Sequence, residues 1–169
     1  MTRVVEIEKT GGPEILKVKT IKLEKPRPEE VLIEHKAIGL NYIDTYHRSG
    51  LYPLQLPSGI GAEASGIIKE VGSKVEGFSV GDKVAYAGAP LGAYSSERNY
   101  PTKNLVKIPD TISYEIAATL MTKGLTAYYL LFKTSGLPVF SIFTTLVIFA
   151  QNSHFDNLLQ LEEFLVWYS

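Results

Sequence analysis

Three side chains between residues 41 and 52 could act on a small ligand: Asn41, Tyr46 and Tyr52. An amide both donates and accepts hydrogen bonds, and a tyrosine offers a flat aromatic face together with a phenol. Such groups suit a planar ligand that carries oxygen atoms. The alternatives are that Asn41 only caps a helix and that the tyrosines only pack. The elements that carry them decide whether they can meet a ligand.

The surrounding pattern predicts a mostly β domain with short helices. Residues 31–37 alternate between two faces, as a half-buried strand does, and Asn41 can cap a helix that runs to about Arg48 and ends near Gly50. Further short strands follow at regular spacing with turns between them, which favours a barrel or a sandwich. From Ser113 to Phe132 the spacing becomes helical, with Gly124 dividing the helix.

Composition excludes several classes of protein. The 169 residues carry a formal net charge of −1, so no charge argument favours nucleic acid or an acidic membrane. The sequence contains no cysteine, which excludes disulfides, thiolate nucleophiles and Cys-ligated zinc. The first residues carry charges where a signal peptide needs an apolar run. We therefore expect a cytoplasmic protein.

The chain has two compositional regimes. All 17 Lys and Arg residues lie at or before Lys133, and Gly136 is the only glycine after it. We therefore predict a domain over 1–133 and a different, apolar tail over 134–169. Its apolar core, 137–150, is shorter than the roughly 20 residues of a membrane span. A buried strand, a buried helix or a non-native tail are the alternatives, and we do not expect membrane binding.

Several motifs resemble the quinone oxidoreductase branch of the medium-chain dehydrogenase/reductase superfamily. The resemblance covers residues 1 to about 134, and its motifs come in that family's order and spacing. The segments that carry it are KAIGLNYIDTY at 36–46, RSGLYP at 48–53, GAEASG at 61–66, VGDKV at 80–84, LGAYSS at 91–96 and KGLTAYYLL at 123–131. Each motif alone is weak, and the set is specific.

The resemblance implies a fold and a site. The fold is a GroES-like, partly open β-barrel, followed in complete members by a Rossmann domain, with NADPH in the cleft between the two. Family members are homo-oligomers, and the small-molecule substrate is a quinone. The implied catalytic residues are Asn41, Tyr46 and Tyr52. The implied cofactor-binding residues are Asn41, Tyr42, Ile43, Asp44, Thr45, Tyr46, Thr126 and Tyr129.

The resemblance also bears on zinc. Zinc-dependent relatives place a cysteine at the position of Asn41 and a histidine at the position of Ala62, and neither replacement here can hold the metal. We therefore predict no metal site. Alcohol oxidation needs a Lewis acid to stabilise an alkoxide, whereas a quinone is already a strong electrophile. The missing ligands and the quinone assignment are consistent.

Two further predictions concern charged and titratable residues. A carboxylate in the glycine-rich segment 57–66 needs a partner if it is buried, so we predict that Glu63 pairs with Arg48. We expect His35 and His47 to be solvated and to take no part in catalysis.

No dinucleotide-binding fingerprint is found after Lys133. That fingerprint needs a strand, a glycine-rich turn and a helix N-terminus, and only Gly136 follows Lys133. We hypothesise that a frameshift, truncation or fusion replaced the Rossmann domain. The chain alone should then bind NADPH poorly and be weakly active or inactive.

Three alternatives remain open at this point. The chain could belong to the zinc-free enoyl or alkenal reductases of the same superfamily, which reduce a conjugated C=C bond. It could be a non-enzymatic barrel remnant that acts as an interaction module. It could also be a barrel tethered to a membrane by residues 137–150.

Overall fold

The computed structural model describes residues 1–129 and 133. Eight strands and three α-helices make up this part of the chain. The strands are β1 (Thr2–Ile7), β2 (Lys17–Ile21), β3 (Glu30–Gly39), β4 (Ser58–Gly59), β5 (Glu63–Val71), β6 (Lys83–Ala87), β7 (Glu97–Pro101) and β8 (Leu105–Lys107). The helices are α1 (Tyr42–Ser49), α2 (Tyr114–Thr119) and α3 (Leu125–Tyr129).

The strands form two open sheets. One has three strands in the order β2-β1-β4, and the other has five in the order β7-β3-β5-β6-β8. Every strand pair in the described residues is antiparallel. The sequence prediction of a mostly β domain with short helices, not closed into a full barrel, is confirmed.

Strand β3 is central because it pairs with both β5 and β7. Its inward positions follow the alternation seen in the sequence, with Val31, Ile33 and His35 buried. They form part of a core that buries apolar side chains from most strands of the larger sheet. The buried members of that core are Val31, Ile33, Ala64, Ile68, Val84, Tyr86, Ala93, Tyr100 and Leu105.

The prediction that His35 is solvated is wrong. Its side chain is 1% exposed, because position 35 falls on the inward face of β3. The imidazole is held by the Ser95 carbonyl oxygen, 2.7 Å from Nδ1, and by the Tyr86 hydroxyl, 2.9 Å from Nε2. A carbonyl oxygen only accepts, so Nδ1 carries the proton and Nε2 accepts from Tyr86. His47 is half-buried beside the ring of Tyr52.

Burial makes His35 a source of acid sensitivity. Desolvation lowers the pKa of His35 from 6.5 to about 4, and the Arg98 guanidinium lowers it further, against the Ser95 hydrogen bond that raises it. Between pH 6.5 and about 4, the unfolded chain binds a proton at His35 and the folded chain does not. Stability is therefore fully present above pH 6.5 and falls as the pH drops towards 4.

We predict that this histidine removes about 2 kcal/mol of unfolding free energy between pH 7 and pH 4.5. Urea unfolding of the parent and of His35→Asn at both pH values measures it. The variant keeps a donor for Ser95 and cannot titrate, so its stability should change less with pH by that amount. Equal pH slopes would refute the assignment, since other acidic groups contribute alike to both proteins.

The helical segment after the strands is divided, as predicted. The Ser113 hydroxyl accepts from the Ile116 N–H at 3.3 Å and caps α2. A π-helical turn over Leu120–Gly124 then separates α2 from α3. The described residues fall into two units, one over Met1–Thr122 and one that begins at Lys123. The predicted tail, 134–169, lies outside the described residues.

Candidate functional site

Helix α1 carries most of the residues predicted to bind a ligand. Asn41 precedes it in extended conformation, and its backbone N–H donates to Asp44 Oδ2 at 3.0 Å. The helix ends at Gly50, whose φ of 86° is a left-handed conformation that glycine adopts without strain. The predicted start and end of this helix are confirmed.

Asp44 faces the interior of the domain. It is 4% exposed, and its Oδ2 accepts from the Tyr94 hydroxyl at 2.9 Å. Burial raises the pKa of Tyr94 well above its usual range, and the neighbouring Asp44 raises it further. The phenol therefore stays a donor at all ordinary pH values. Asp44 anchors α1 on the segment that contains Tyr94.

Asn41 is part of a second buried network, centred on Glu63. Glu63 is 0% exposed, and its Oε2 accepts from Asn41 Nδ2 at 2.7 Å. Its Oε1 accepts from the Thr122 backbone N–H, also at 2.7 Å. The predicted pair with Arg48 is wrong: in the part of the chain that the structure describes, the Glu63 carboxylate accepts these hydrogen bonds and forms no ion pair with Arg48. One carboxylate thus joins the start of α1 to the π-helical turn.

Three tyrosines form the exposed side of the site. The rings of Tyr42 and Tyr46 lie 5.1 Å apart between centroids, and those of Tyr46 and Tyr52 lie 5.3 Å apart. Tyr42 and Tyr52 are 50% and 46% exposed, and Tyr46 is half-buried. The Tyr52 N–H donates to the Tyr46 carbonyl oxygen at 3.2 Å, which holds the loop after α1 against the helix. We call Tyr42, Tyr46 and Tyr52 the tyrosine face.

The remaining predicted residues lie on α1 and α3. Ile43 and Thr45 are half-buried on α1, and Thr45 Oγ1 donates to the Tyr42 carbonyl oxygen at 2.7 Å. Thr126 and Tyr129 lie on α3 and are both exposed. Helix α3 belongs to the unit that begins at Lys123.

Sequence reasoning missed two members of the site, Tyr94 and Thr122. Tyr94 was part of a motif, LGAYSS, but nothing local indicates that its hydroxyl meets Asp44, fifty residues away. Thr122 contributes only its backbone N–H, which any residue except proline could provide. No sequence signal could have identified it.

The described residues contain neither a cluster of metal ligands nor a membrane-spanning helix. Within residues 1–129 and 133, no group of three His, Asp or Glu side chains is placed to hold a metal ion. In the same part of the chain, no helix has the length and apolar content to cross a bilayer. The apolar stretch 137–150 lies outside these residues.

Comparison with known proteins identifies the class of domain. Residues 27–110 match the alcohol dehydrogenase GroES-like domain family. The open antiparallel sheets fit that assignment. This part of the chain is a GroES-like domain, and the expectation of that fold is confirmed.

Within that class, the chain groups with the quinone oxidoreductases. It is 50% identical to a quinone oxidoreductase of Pseudomonas aeruginosa over 138 residues, which cover 81% of this chain and 42% of that protein. A crystal structure of Escherichia coli quinone oxidoreductase complexed with NADPH matches 81% of this chain and 42% of its own, at 49% identity and a TM-score of 0.76. Over its N-terminal four-fifths, the chain belongs to the quinone oxidoreductase family.

Other reductases also match. A 2-haloacrylate reductase of a Burkholderia species is 41% identical over 140 residues, which cover 79% of this chain and 42% of that protein. The chain thus spans about two-fifths of the length of the relatives it matches.

Proposed function

We propose that this domain forms the quinone-binding side of an NADPH-dependent, zinc-independent quinone oxidoreductase. The observation that carries the proposal is the tyrosine face, a row of partly exposed rings beside the buried network of Asn41 and Glu63. A planar ligand can stack on such rings, and phenols can donate hydrogen bonds to its oxygens. The NADPH-bound Escherichia coli relative supports the choice of cofactor.

The main task of the protein in this reaction is to position the quinone against the nicotinamide. NADPH, when bound, supplies a hydride, and a quinone that gains a hydride and a proton becomes a hydroquinone. The quinone ring would stack on one ring of the tyrosine face, whose planes are inclined to one another by 84° and 53°, and a phenol of Tyr46 or Tyr52 would donate a hydrogen bond to its oxygen. Held in this way, the quinone would react through proximity and orientation.

The described residues fit the nicotinamide end of the cofactor and not its pyrophosphate. The N-terminus of α1 is already occupied by a carboxylate, Asp44, which would repel a phosphate there. We therefore assign Tyr42, Ile43, Thr45 and Tyr46, with Asn41, to the nicotinamide side. Phosphate binding would require a dinucleotide-binding domain, so the 169-residue polypeptide alone should be weakly active or inactive.

Zinc independence rests on the ligand chemistry of the sequence. With no cysteine in the chain and an amide at Asn41, the donors that tetrahedral zinc prefers are missing from this position. The Asn41 amide is instead bonded to Glu63. A cysteine-free protein also suits a reducing compartment, and we expect a cytoplasmic location.

A second candidate is reduction of a conjugated C=C bond. The similarity to a 2-haloacrylate reductase favours it, since a haloacrylate is a conjugated alkene and not a quinone. A turnover panel that contains both a simple quinone and 2-chloroacrylate, run on residues 1–133 fused to a nucleotide-binding domain, distinguishes the two candidates.

Removal of the tyrosine face should weaken quinone binding. We expect Tyr46→Ala combined with Tyr52→Ala to raise the Kd for duroquinone about tenfold or more, because two aromatic contacts are lost. Saturation-transfer NMR on the duroquinone methyl protons measures the Kd with the 169-residue chain. Tyr128→Ala, at an exposed tyrosine on α3, is the matched control and should leave the Kd unchanged. Equal affinities of the double variant and the parent would count against the proposal.

A further inference from the structure

Three neighbouring strands of the larger sheet end in register at one edge. Strand β3 ends at Gly39, β5 begins at Glu63 and β6 ends at Ala87, and these residues pair across the sheet. Adjacent strands lie about 4.8 Å apart, so segments that leave this edge start close together. Asn41 follows β3 there, and residues 88–92, which we call the β6 loop, follow β6. The β6 loop therefore begins near the start of α1.

Arg98, on β7, holds the β6 loop from inside the domain. The residue is 9% exposed. Its Nη2 donates to the Pro90 carbonyl oxygen at 3.0 Å and to the Leu91 carbonyl oxygen at 3.1 Å. One guanidinium nitrogen has two hydrogens, so it can serve both oxygens at once. Two successive carbonyl groups of the loop are thus directed at the same buried atom.

This contact fixes the direction of two backbone N–H groups. The peptide bonds from Pro90 to Leu91 and from Leu91 to Gly92 are trans. In a planar trans peptide the N–H points opposite to the carbonyl, so the N–H groups of Leu91 and Gly92 leave the loop on the side away from Arg98. The Gly92 N–H donates to the Gly61 carbonyl oxygen at 2.9 Å. That side of the loop therefore faces the segment before β5.

The Leu91 N–H lies on this side of the loop and lacks a hydrogen-bond partner within the part of the chain that the structure describes. Leu91 is half-buried, and backbone donors that are shielded from water are normally paired. The loop is also joined to the segment before β5 by the Gly88 N–H, which donates to the Ala62 carbonyl oxygen at 2.9 Å. Glu63, the next residue, accepts from Asn41. A backbone donor thus lies near the network of Asn41 and Glu63.

We propose that the Leu91 N–H is a hydrogen-bond donor for a quinone oxygen, and that Arg98 is the positioning residue that directs it. A quinone has two oxygens that only accept hydrogen bonds, so a phenol of the tyrosine face can serve one and this N–H the other. The hydrogen bond from Arg98 to the Pro90 carbonyl also polarises the peptide group that contains the Leu91 N–H, which makes it a stronger donor. The inference rests on the proposed function, since its ligand is the quinone.

Titration of the full ¹⁵N-labelled chain with duroquinone tests both parts of the inference. In the parent, the Leu91 amide proton should move to lower field as the quinone oxygen accepts from it. Arg98→Met keeps a long side chain and removes the donors, so it should raise the Kd for duroquinone at least about fivefold and abolish that shift. Arg98→Lys keeps a donor for a loop carbonyl, and its Kd should lie between those of the parent and Arg98→Met. Circular dichroism checks that each variant is folded.

Asn104→Ala is the matched control, because Asn104 holds a different carbonyl of the same loop. The Ala89 carbonyl oxygen accepts from the Asn104 amide and from the Tyr100 hydroxyl, each at 3.3 Å. Its peptide bond leads to Pro90, which has no N–H to direct. Asn104→Ala should therefore leave the Kd for duroquinone within about twofold of the parent and keep the Leu91 shift. Equal rises in Kd for Asn104→Ala and Arg98→Met would overturn the positioning role.

The parent chain alone separates the inference from the proposed function. If duroquinone shifts the resonances of residues 41–52 and leaves the Leu91 amide proton in place, the inference fails and the proposed function stands. A Leu91 shift with reduced nicotinamide mononucleotide and not with duroquinone would assign the donor to the cofactor, which also overturns the inference. If duroquinone shifts no resonance of the parent, the proposed function fails and the inference fails with it.

Discussion

Fusion of residues 1–133 to the nucleotide-binding domain of Escherichia coli quinone oxidoreductase should raise NADPH-dependent quinone turnover about a thousandfold or more over the 169-residue chain. The pyrophosphate of a dinucleotide needs a glycine-rich turn at a helix N-terminus, which the sequence after Lys133 does not contain. The added domain would hold the nicotinamide against the tyrosine face. Hydride transfer would then take place within one bound complex and would not depend on a collision between free molecules. NADPH oxidation at 340 nm, with duroquinone as acceptor, measures the rate.

The controls for this fusion isolate each contribution. The nucleotide-binding domain alone should show no quinone turnover, because it lacks the quinone-binding side. Chelation with EDTA should leave the rate of the fusion unchanged if the site works without zinc. Comparable rates for the fusion and the 169-residue chain would contradict the proposal that one domain binds the quinone and the other binds the dinucleotide.

Gly39→Ala should destabilise the domain by about 4 kcal/mol or prevent folding. Gly39 ends β3 opposite Glu63, where the sheet meets α2. An added methyl group would lie within 3.0 Å of both the Ala118 carbonyl oxygen and Glu63 Oε2. A shift of either neighbour would cost folding free energy. The Ala118 carbonyl belongs to the backbone of α2, and Glu63 Oε2 accepts a hydrogen bond from Asn41. Urea unfolding followed by circular dichroism measures the loss.

Gly77→Ala is the matched control for Gly39→Ala. A methyl group at residue 77 meets nothing within 4 Å, so its cost comes only from the positive φ of 78°. That cost is about 1 kcal/mol. Similar losses for both variants would show that the contact between Gly39, Glu63 and Ala118 does not limit stability.

Elements with local signals were predictable. Helix α1 has an Asn at its start, an acidic residue in its first turn and a glycine at its end, and each of these acts within a few residues of the chain. Strand β3 alternates in sequence as it does in the sheet. These features required no knowledge of distant contacts.

The contacts that organise the site were not predictable from local pattern. Glu63 meets Asn41 and Thr122 across 22 and 59 residues, so the choice of partner depends on how the sheet and α2 pack. Charge alone favours Arg48 as the partner, whereas the carboxylate accepts from the Asn41 amide and the Thr122 backbone N–H. The sequence carries no marker for such a choice.

His35 shows a different kind of error. The alternation of β3 places it on the buried face with Val31 and Ile33, so the prediction that it is solvated conflicts with that pattern. Two buried hydrogen-bond partners, from Ser95 and Tyr86, make the burial tolerable. Position in the strand was the better guide.

A map of ligand-induced shifts on the full ¹⁵N-labelled chain tests whether residues 41–52 bind both ligands. Duroquinone and reduced nicotinamide mononucleotide are added separately, and backbone amide shifts are followed by residue. We expect the largest shifts to fall within residues 41–52, at the start of α1 and along the tyrosine face. Shifts confined to other regions, such as the outer edges of the two sheets, would contradict it.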